Sequence, residues 1–344
     1  MFAHTYEDII SVENLLEAWK EFLKGKRGKK DVQEFQADLM RNILSLHRDL
    51  VSQTYCHGGY RHFRVADPKP RDIHKASVRD RLLHHALYRQ MYPYFDARFI
   101  SDSYSCRVGK GTHKAMSRFR SFASKVSKNH TRTAWVLKCD IRKFFASIDH
   151  AVLYGILQKH VGDPAILCLL REVVGSFCSG GNSLQKNRLH QSCTTAQVKC
   201  ICRGLPLGNL TSQLLVNIYM NEFDQWIKHK LKVKYYIRYA DDFVILSRNR
   251  PELLTTLSYM KVFMRDELKL HLHPNKTFVK TVASGIDFLG WVHFPGHRVL
   301  RTASKRRMLR RTVGLQKEDA SVQSYFGMLK HGNARTLENR IGKN

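Results

Sequence analysis

Apolar residues recur at helical spacing over residues 7–22 and again over 32–50, which predicts two helices with a basic linker at 24–30 between them. Residues 60–65 and 71–74 read as strands on either side of Asp67-Pro68-Lys69-Pro70, a proline turn. Helical spacing returns at 78–95 and at 112–127. Residues 135–141 form a short apolar strand with Asp140 near its end, and helices follow at 151–160 and 164–177. A stretch rich in Cys, Ser and Gly leads into Gly204-Leu205-Pro206-Leu207-Gly208, a stiff turn, and then a long helix over 210–231. Two β-type runs, 233–238 and 243–247, flank Tyr239-Ala240-Asp241-Asp242. A helix at 251–270, strands near 277–280, 287–294 and 298–301, and a basic helical tail over 304–344 complete the chain. This order is α+β: a small antiparallel sheet that carries acidic residues, with helices packed on one side.

Composition adds a partner to this picture. Hydrophobic content is ordinary at 43%, and 344 residues suffice for two or three subdomains with a sizeable core. The charge is not ordinary: 58 Lys and Arg oppose 29 Asp and Glu, a formal net charge of +29. A compact chain with that self-repulsion calls for a polyanion, and nucleic acid is a better fit than an anionic membrane surface. No apolar run approaches the length of a membrane span, and residues 1–13 lack the charged and apolar regions of a signal peptide. The expected location is the cytoplasm. Eight scattered cysteines then read as reduced thiols. Cys178, Cys193, Cys200 and Cys202, with His190, are dense enough for a structural zinc site, but their spacing departs from paired C-x₂-C, and a polar surface loop is the simpler expectation.

Candidate chemistry centres on Asp241-Asp242. Adjacent carboxylates at a hairpin repel one another, so the pair is either a solvated turn or a cation site. Hard divalent cations take such oxygen ligands. Asp140 closes an apolar strand, and if that strand and the hairpin share a sheet, three carboxylates converge. Such a set can hold two Mg²⁺ ions that clamp the attacking and leaving oxygens of an in-line phosphoryl displacement. That reaction needs positioning and charge neutralisation more than a covalent nucleophile.

The segment Lys138-Cys139-Asp140-Ile141-Arg142-Lys143-Phe144-Phe145 resembles the first palm motif of reverse transcriptases, and Tyr239-Ala240-Asp241-Asp242 resembles their third. Residues 204–213 stand where the template-contacting turn and helix belong. Phe288-Leu289-Gly290-Trp291 resembles the primer-grip hairpin, and residues 104–113 a fingers–palm segment. The resemblance covers residues 50–310. It implies a right-hand polymerase: an N-terminal helical extension (1–55), fingers (56–134), a palm (135–295, with the Cys-containing loop at 178–203) and a short basic helical thumb (296–344). It implies an RNA-directed DNA polymerase that works on template RNA, RNA/DNA duplex and dNTPs. Asp140, Asp241, Asp242 and the Ile141 carbonyl would hold two Mg²⁺, with Mn²⁺ as the alternative ion. Phe145 would block a ribose 2′-OH, or else be a core aromatic, a part that suits Phe144 better. Lys69 and Arg71 would grip the triphosphate or form a solvated turn. Lys276 would sit near the leaving pyrophosphate or be a surface lysine. Arg79 and Arg81 suit pairing with carboxylates or RNA backbone, and Asp149 suits a helix cap.

One departure narrows the family. Most reverse transcriptases carry Gln-Gly before the template helix and Ser-Pro within it; here the positions are Leu207-Gly208 and Ser212-Gln213. That variant resembles diversity-generating retroelement enzymes, which copy a template-repeat RNA into adenine-mutagenised cDNA and work with a small oligomeric accessory protein and a structured RNA. Another prokaryotic enzyme, of a retron or phage-defence system, is the alternative, and an RNA-binding protein with a degenerate palm a more distant one. Arg298, Arg301, Lys305, Arg306, Arg307, Arg310 and Arg311 crowd the segment after the primer grip, as expected of a thumb that contacts nucleic-acid backbone.

Overall fold

The computed structural model describes residues 1–66, 70–179 and 202–341. They divide into two compact units, one of residues 1–100, 142–224 and 263–270, the other of residues 101–141, 225–262 and 271–344. Among the described residues no helix is long and apolar enough to cross a membrane.

The first unit begins with short helices where longer ones were expected. Helix 7–22 is two, Tyr6–Ile10 and Val12–Phe22, because Ser11 turns to an extended conformation and its side chain caps the second by accepting from Asn14 N–H. Helix 32–50 likewise breaks at Asp38 into Lys30–Ala37 and Leu39–Val51. Ile9, Leu15, Ala18, Phe22, Ile43 and Leu46 give the buried face. Strands β1 (Tyr60–Val65) and β2 (Arg71–Ala76) form an antiparallel hairpin in the register Tyr60↔Ala76 to Val65↔Arg71. The helix Val78–Asp96 follows, and its Arg79 and Arg81 donate to Asp49 and Asp31, which settles them as carboxylate partners. Asp149 caps His150–Gln158 by accepting from Ala151 and Val152 N–H, as expected. Helices Phe144–Ser147, Pro164–Gly175 and Leu210–Gln225 complete the unit.

The second unit is built on β3 (Trp135–Asp140), β4 (Tyr236–Tyr239), β5 (Asp242–Ser247) and β6 (Phe278–Thr281), ordered β4-β5-β3-β6 with every pair antiparallel. The expected acidic antiparallel sheet is therefore present. Val136, Val244, Leu246 and Ile237 pack with Phe119, Phe122, Ala123 and Val126 of the helix Thr112–Val126. Leu137, Cys139, Phe243 and Ile245, which point to the opposite face, are buried too. The sheet is thus covered on both faces, not one. The expected strand 287–294 is a hairpin, β7 (Ile286–Phe288) and β8 (Trp291–His293), because Leu289 and Gly290 both take positive φ, 53° and 86°. Strand β9 (Arg298–Leu300) adds to β8. The basic tail is helical as expected, in three pieces: Thr302–Thr312, Ala320–Leu329 and Arg335–Ile341. Met308, Val322, Leu329 and Ile341 bury against Trp291 and Leu300. Gly332 permits this closure, since a Cβ there would fall 1.9 Å from the Trp291 ring.

Candidate active site

Strand register places the carboxylates. Asp140 ends β3 directly opposite Asp242, the first residue of β5, and Tyr239 pairs with Asp242 on the other side. Directly opposed residues project to the same face with Cβ atoms ~5 Å apart. Ala240-Asp241 is the two-residue turn between β4 and β5. Asp241 therefore lies at the tip and Asp242 within the sheet. Ala240 sits at φ 54°, a left-handed conformation that costs a non-glycine residue about 1 kcal/mol. The Asp241 carbonyl accepts from Ile141 N–H at 3.1 Å, and the Asp140 carbonyl from His273 N–H at 2.7 Å, so the backbone around all three acids is fixed.

Two lysines neutralise the acids. Lys138, on the same face of β3 as Asp140, reaches Asp242 Oδ2 at 3.4 Å and donates to the Asp287 carbonyl of β7 at 2.6 Å. Lys276 ends a turn of 3₁₀ helix and donates to Asp140 Oδ1 at 2.8 Å. Burial pushes the Asp242 carboxyl up to about 7; Lys138 opposes this, and the charges of Asp241 and Asp140 add to it. A fifth of the Asp242 side chain is exposed, yet its Oδ1 is enclosed and has no hydrogen-bond partner. Among the described residues no three His, Cys, Asp or Glu side chains are already gathered in metal-holding positions. The donor set nonetheless fits a hard cation: facing carboxylates, an unpartnered buried oxygen, and lysines that satisfy the same oxygens otherwise.

The guanidinium of Arg238 went unnoticed in the sequence. It is fully buried in β4, where Nη1 donates to the Ala240 carbonyl at 3.2 Å and Nη2 to Ser103 Oγ at 3.0 Å. It props the strained turn from behind. A charge in the apolar run Tyr236-Ile237-Arg238, two residues before the turn, was the available signal. Lys138 had a signal as well, since residues two apart share a strand face.

The remaining expected residues fall in both units. Phe288 and Trp291 are buried core, and the turn Leu289-Gly290 between them is half-buried. The Gly290 carbonyl accepts from Arg301 N–H, and Arg301 pairs with Asp287 at 3.1 Å. On the helix Thr302–Thr312, Ser304, Met308 and Thr312 face inward, while Arg306, Arg310 and Arg311 are exposed; Lys305 and Arg307 lie at the margin. In the first unit Phe144 is buried and Phe145 half-buried. Arg71 is exposed at the start of β2. Lys69, Cys193, Cys200 and His190 lie outside the described residues. The turn at 207–209 is pinned to β2: His74 N–H donates to the Leu207 carbonyl at 3.0 Å, and Asn209 Nδ2 to the His74 carbonyl at 3.2 Å. Gly208, at φ 107°, would bring a Cβ within 3.0 Å of Ile73. Ser212 is buried and Gln213 half-buried on the helix that follows.

A small antiparallel sheet with opposed aspartates beside a two-residue Ala-Asp turn defines a polymerase-type palm. Residues 66–293, more than half of the chain, match the family described as reverse transcriptase (RNA-dependent DNA polymerase), and the chain belongs to that family. Among related proteins, Protein YkfC of Escherichia coli (strain K12) is 23% identical over 284 residues, which cover 73% of this chain and 69% of YkfC. Group II intron-encoded protein LtrA of Lactococcus lactis subsp. cremoris is 21% identical over 285 residues, 65% of this chain and 44% of LtrA. The chain thus spans less than half of this intron-encoded relative. A telomerase from Candida albicans, solved with a fragment of telomeric RNA, aligns with a TM-score of 0.47 at 12% identity, covering 83% of this chain and 54% of the telomerase. The fold is that of a right-hand polymerase, and the family's reaction is RNA-directed DNA synthesis, for which its members use divalent metal ions.

Proposed function

We propose that the chain is the reverse transcriptase of a diversity-generating retroelement, and that it copies a template-repeat RNA into adenine-mutagenised cDNA by two-metal nucleotidyl transfer. Asp140 and Asp241, with Asp242 and the Ile141 carbonyl alongside, would hold the ions. When bound, Mg²⁺ supplies the positive charge that phosphoryl transfer to a primer hydroxyl requires. The protein's share is positioning. Opposed register fixes two carboxylates, Arg238 holds the turn that carries the third, and Lys276, half exposed, is free to turn from Asp140 to a phosphate oxygen. The fingers assignment for 56–134, the palm for 135–295 and the thumb for 296–344 belong to the same reading, as do Arg71 and Lys69 as triphosphate contacts, Phe145 as the block to ribonucleotides, and a small oligomeric accessory protein as partner.

The single observation that carries the subtype is Leu207-Gly208 with Ser212-Gln213 in place of Gln-Gly and Ser-Pro. A branched alkyl group at 207 offers no hydrogen bond to a template base, so selection there rests on shape. The likeness to LtrA favours a second reading, an enzyme of the group II intron or another bacterial lineage. Copying a defined RNA and sequencing the cDNA separates the two. Substitutions concentrated at template adenines are expected; a low error rate spread over all four bases would leave the second reading standing.

A further inference from the structure

The second unit contains a cavity that the carboxylate site does not use. Its volume is about 290 Å³, and it opens between the helix Thr112–Val126, the β8–β9 turn and the link from Ala320–Leu329 to Arg335–Ile341. It lies away from the primer-grip turn in the hairpin: residues 289–290 join β7 to β8 at one end of β8, whereas 294–297 join β8 to β9 at the other.

The walls carry Arg120, Arg298 and Lys330 and the imidazoles of His130, His297 and His331, and no carboxylate lines them. Asp287 acts on the buried His293 of the wall, whose other charged neighbours are Arg298 and Lys138. Arg298 is built in. Its Nε donates to the His331 carbonyl, its guanidinium lies over the Trp291 ring, and its carbonyl accepts from Asn333 N–H at 2.9 Å. Burial, and then the Arg120 charge, hold the Arg298 guanidinium below its ordinary range. His331 stacks on His113 with ring centres 3.6 Å apart. Among the described residues neither Arg120 nor Lys330 has a carboxylate partner. Cations gathered around a partly dry cavity without a counter-ion repel one another, and an incoming anion relieves the repulsion. Guanidinium groups with fixed forks suit tetrahedral oxyanions in particular.

We propose that this cavity binds a phosphate group, supplied by an RNA strand that runs outside the primer-grip turn or by a free phosphate-bearing molecule. The cavity sits at the small end of ligand sites, large enough for a phosphate and part of a nucleoside. The proposal holds whichever retroelement the enzyme serves.

Arg120→Glu and, separately, Lys330→Glu reverse exposed charges outside either core, so the thermal midpoint should stay at the wild-type value. Three measurements then decide: salt-dependent binding of a long structured RNA, primer extension on a short RNA/DNA duplex, and titration calorimetry with inorganic phosphate. The expected result is RNA affinity lowered roughly tenfold near 0.1 M salt, with a log–log salt slope shallower by about 1, and unchanged extension on the short duplex. Loss of phosphate heat with unchanged RNA binding would also support the site and assign it to a free ligand. Wild-type RNA affinity, salt slope and phosphate heat in both variants would overturn it. So would impaired extension on the short duplex, which would put Arg120 on the primer–template path. Neither failure touches the family assignment, which rests on the match over residues 66–293.

Discussion

The carboxylate site and the turn at 207–209 are held in place by opposite means. The first depends on sheet register. Asp140 faces Asp242 because β3 and β5 pair over six residues, and a slip of one residue would send Asp140 to the other face. Its side chains all carry charge: two lysines on two aspartates, and a buried arginine under the turn. The second depends on backbone contacts. Leu207 is anchored through its carbonyl to His74, and its side chain is half-buried and uncharged. Chemistry built from side chains tolerates no substitution, whereas a turn fixed by its main chain can exchange one side chain for another and keep its shape. On the proposed reading, the reaction class is therefore fixed in one region, while the selectivity can vary in the other.

The largest expected effect tests the first half of that contrast. Asp241→Asn keeps the turn's size and removes one charge from the acidic set. Primer extension should fall by roughly 10³-fold or more, on the scale of losing a transition-state charge contact, while RNA affinity stays within about twofold. Extension near the wild-type rate would remove the metal-site assignment. Next in size is Arg238→Leu. It leaves the Ala240 carbonyl and Ser103 Oγ without their donor and takes the prop from a left-handed alanine. Losses from breaking a buried polar network run to about 3 kcal/mol, so the urea midpoint should drop sharply. A variant as stable as wild type would show that the turn holds itself.

Much of this was legible in the sequence. The β-type runs on either side of the proline turn and of Ala240-Asp241 located β1, β2 and the β4–β5 hairpin, and the apolar run 135–141 located β3, because turn residues bound strands under any tertiary context. The helix breaks at Ser11 and Asp38 were not, since apolar periodicity continues across a residue that turns away. The β7–β8 turn was legible only through the likeness of residues 288–291 to a primer-grip hairpin; the pattern of residues gave one strand over 287–294, because Leu289 takes a left-handed conformation that side-chain type does not advertise. The acids stood out as adjacent charges beside an apolar strand. Their pairings did not: Lys276 is singled out by the resemblance and Lys138 by its place two residues before Asp140, but that the first bonds Asp140 and the second reaches Asp242 is given only by the folded geometry.

A smaller effect sharpens the second half of the contrast. Leu207→Gln restores an amide at the turn while the hydrogen bond from His74 N–H to the Leu207 carbonyl persists, because it uses main-chain atoms. Stability should change by no more than about 0.5 kcal/mol. Misincorporation opposite template adenine should fall several-fold, read by sequencing cDNA from a defined RNA, with bulk extension preserved. An unchanged error spectrum would mean that selectivity is set elsewhere than at this side chain.

The smallest effect concerns the hairpin behind the carboxylate sheet. His293 donates from Nε2 to the Phe288 carbonyl at 3.3 Å. Burial, and less strongly Arg298, push its imidazole down to about 4, against the Phe288 hydrogen bond and Asp287. In the unfolded chain the imidazole takes a proton near 6.5. Between those values the unfolded state binds more protons, so stability rises with pH. The contribution is complete above about 6.5 and is lost as the pH falls toward 4. His84, pushed to about 3, and His85, to about 4, act in the same direction in the first unit, so acid weakens both units. Replacing His293 by Gln keeps a donor and removes one titration. The wild-type urea midpoint should fall between pH 6.5 and 4, followed through fluorescence in a variant that keeps Trp291 and replaces the other three tryptophans by Phe. In His293→Gln the fall should be shallower but still present, because the first unit's histidines remain. A mutant profile parallel to wild type would mean that acid loosens the molecule only through the first unit, and that the β7–β8 hairpin is indifferent to it.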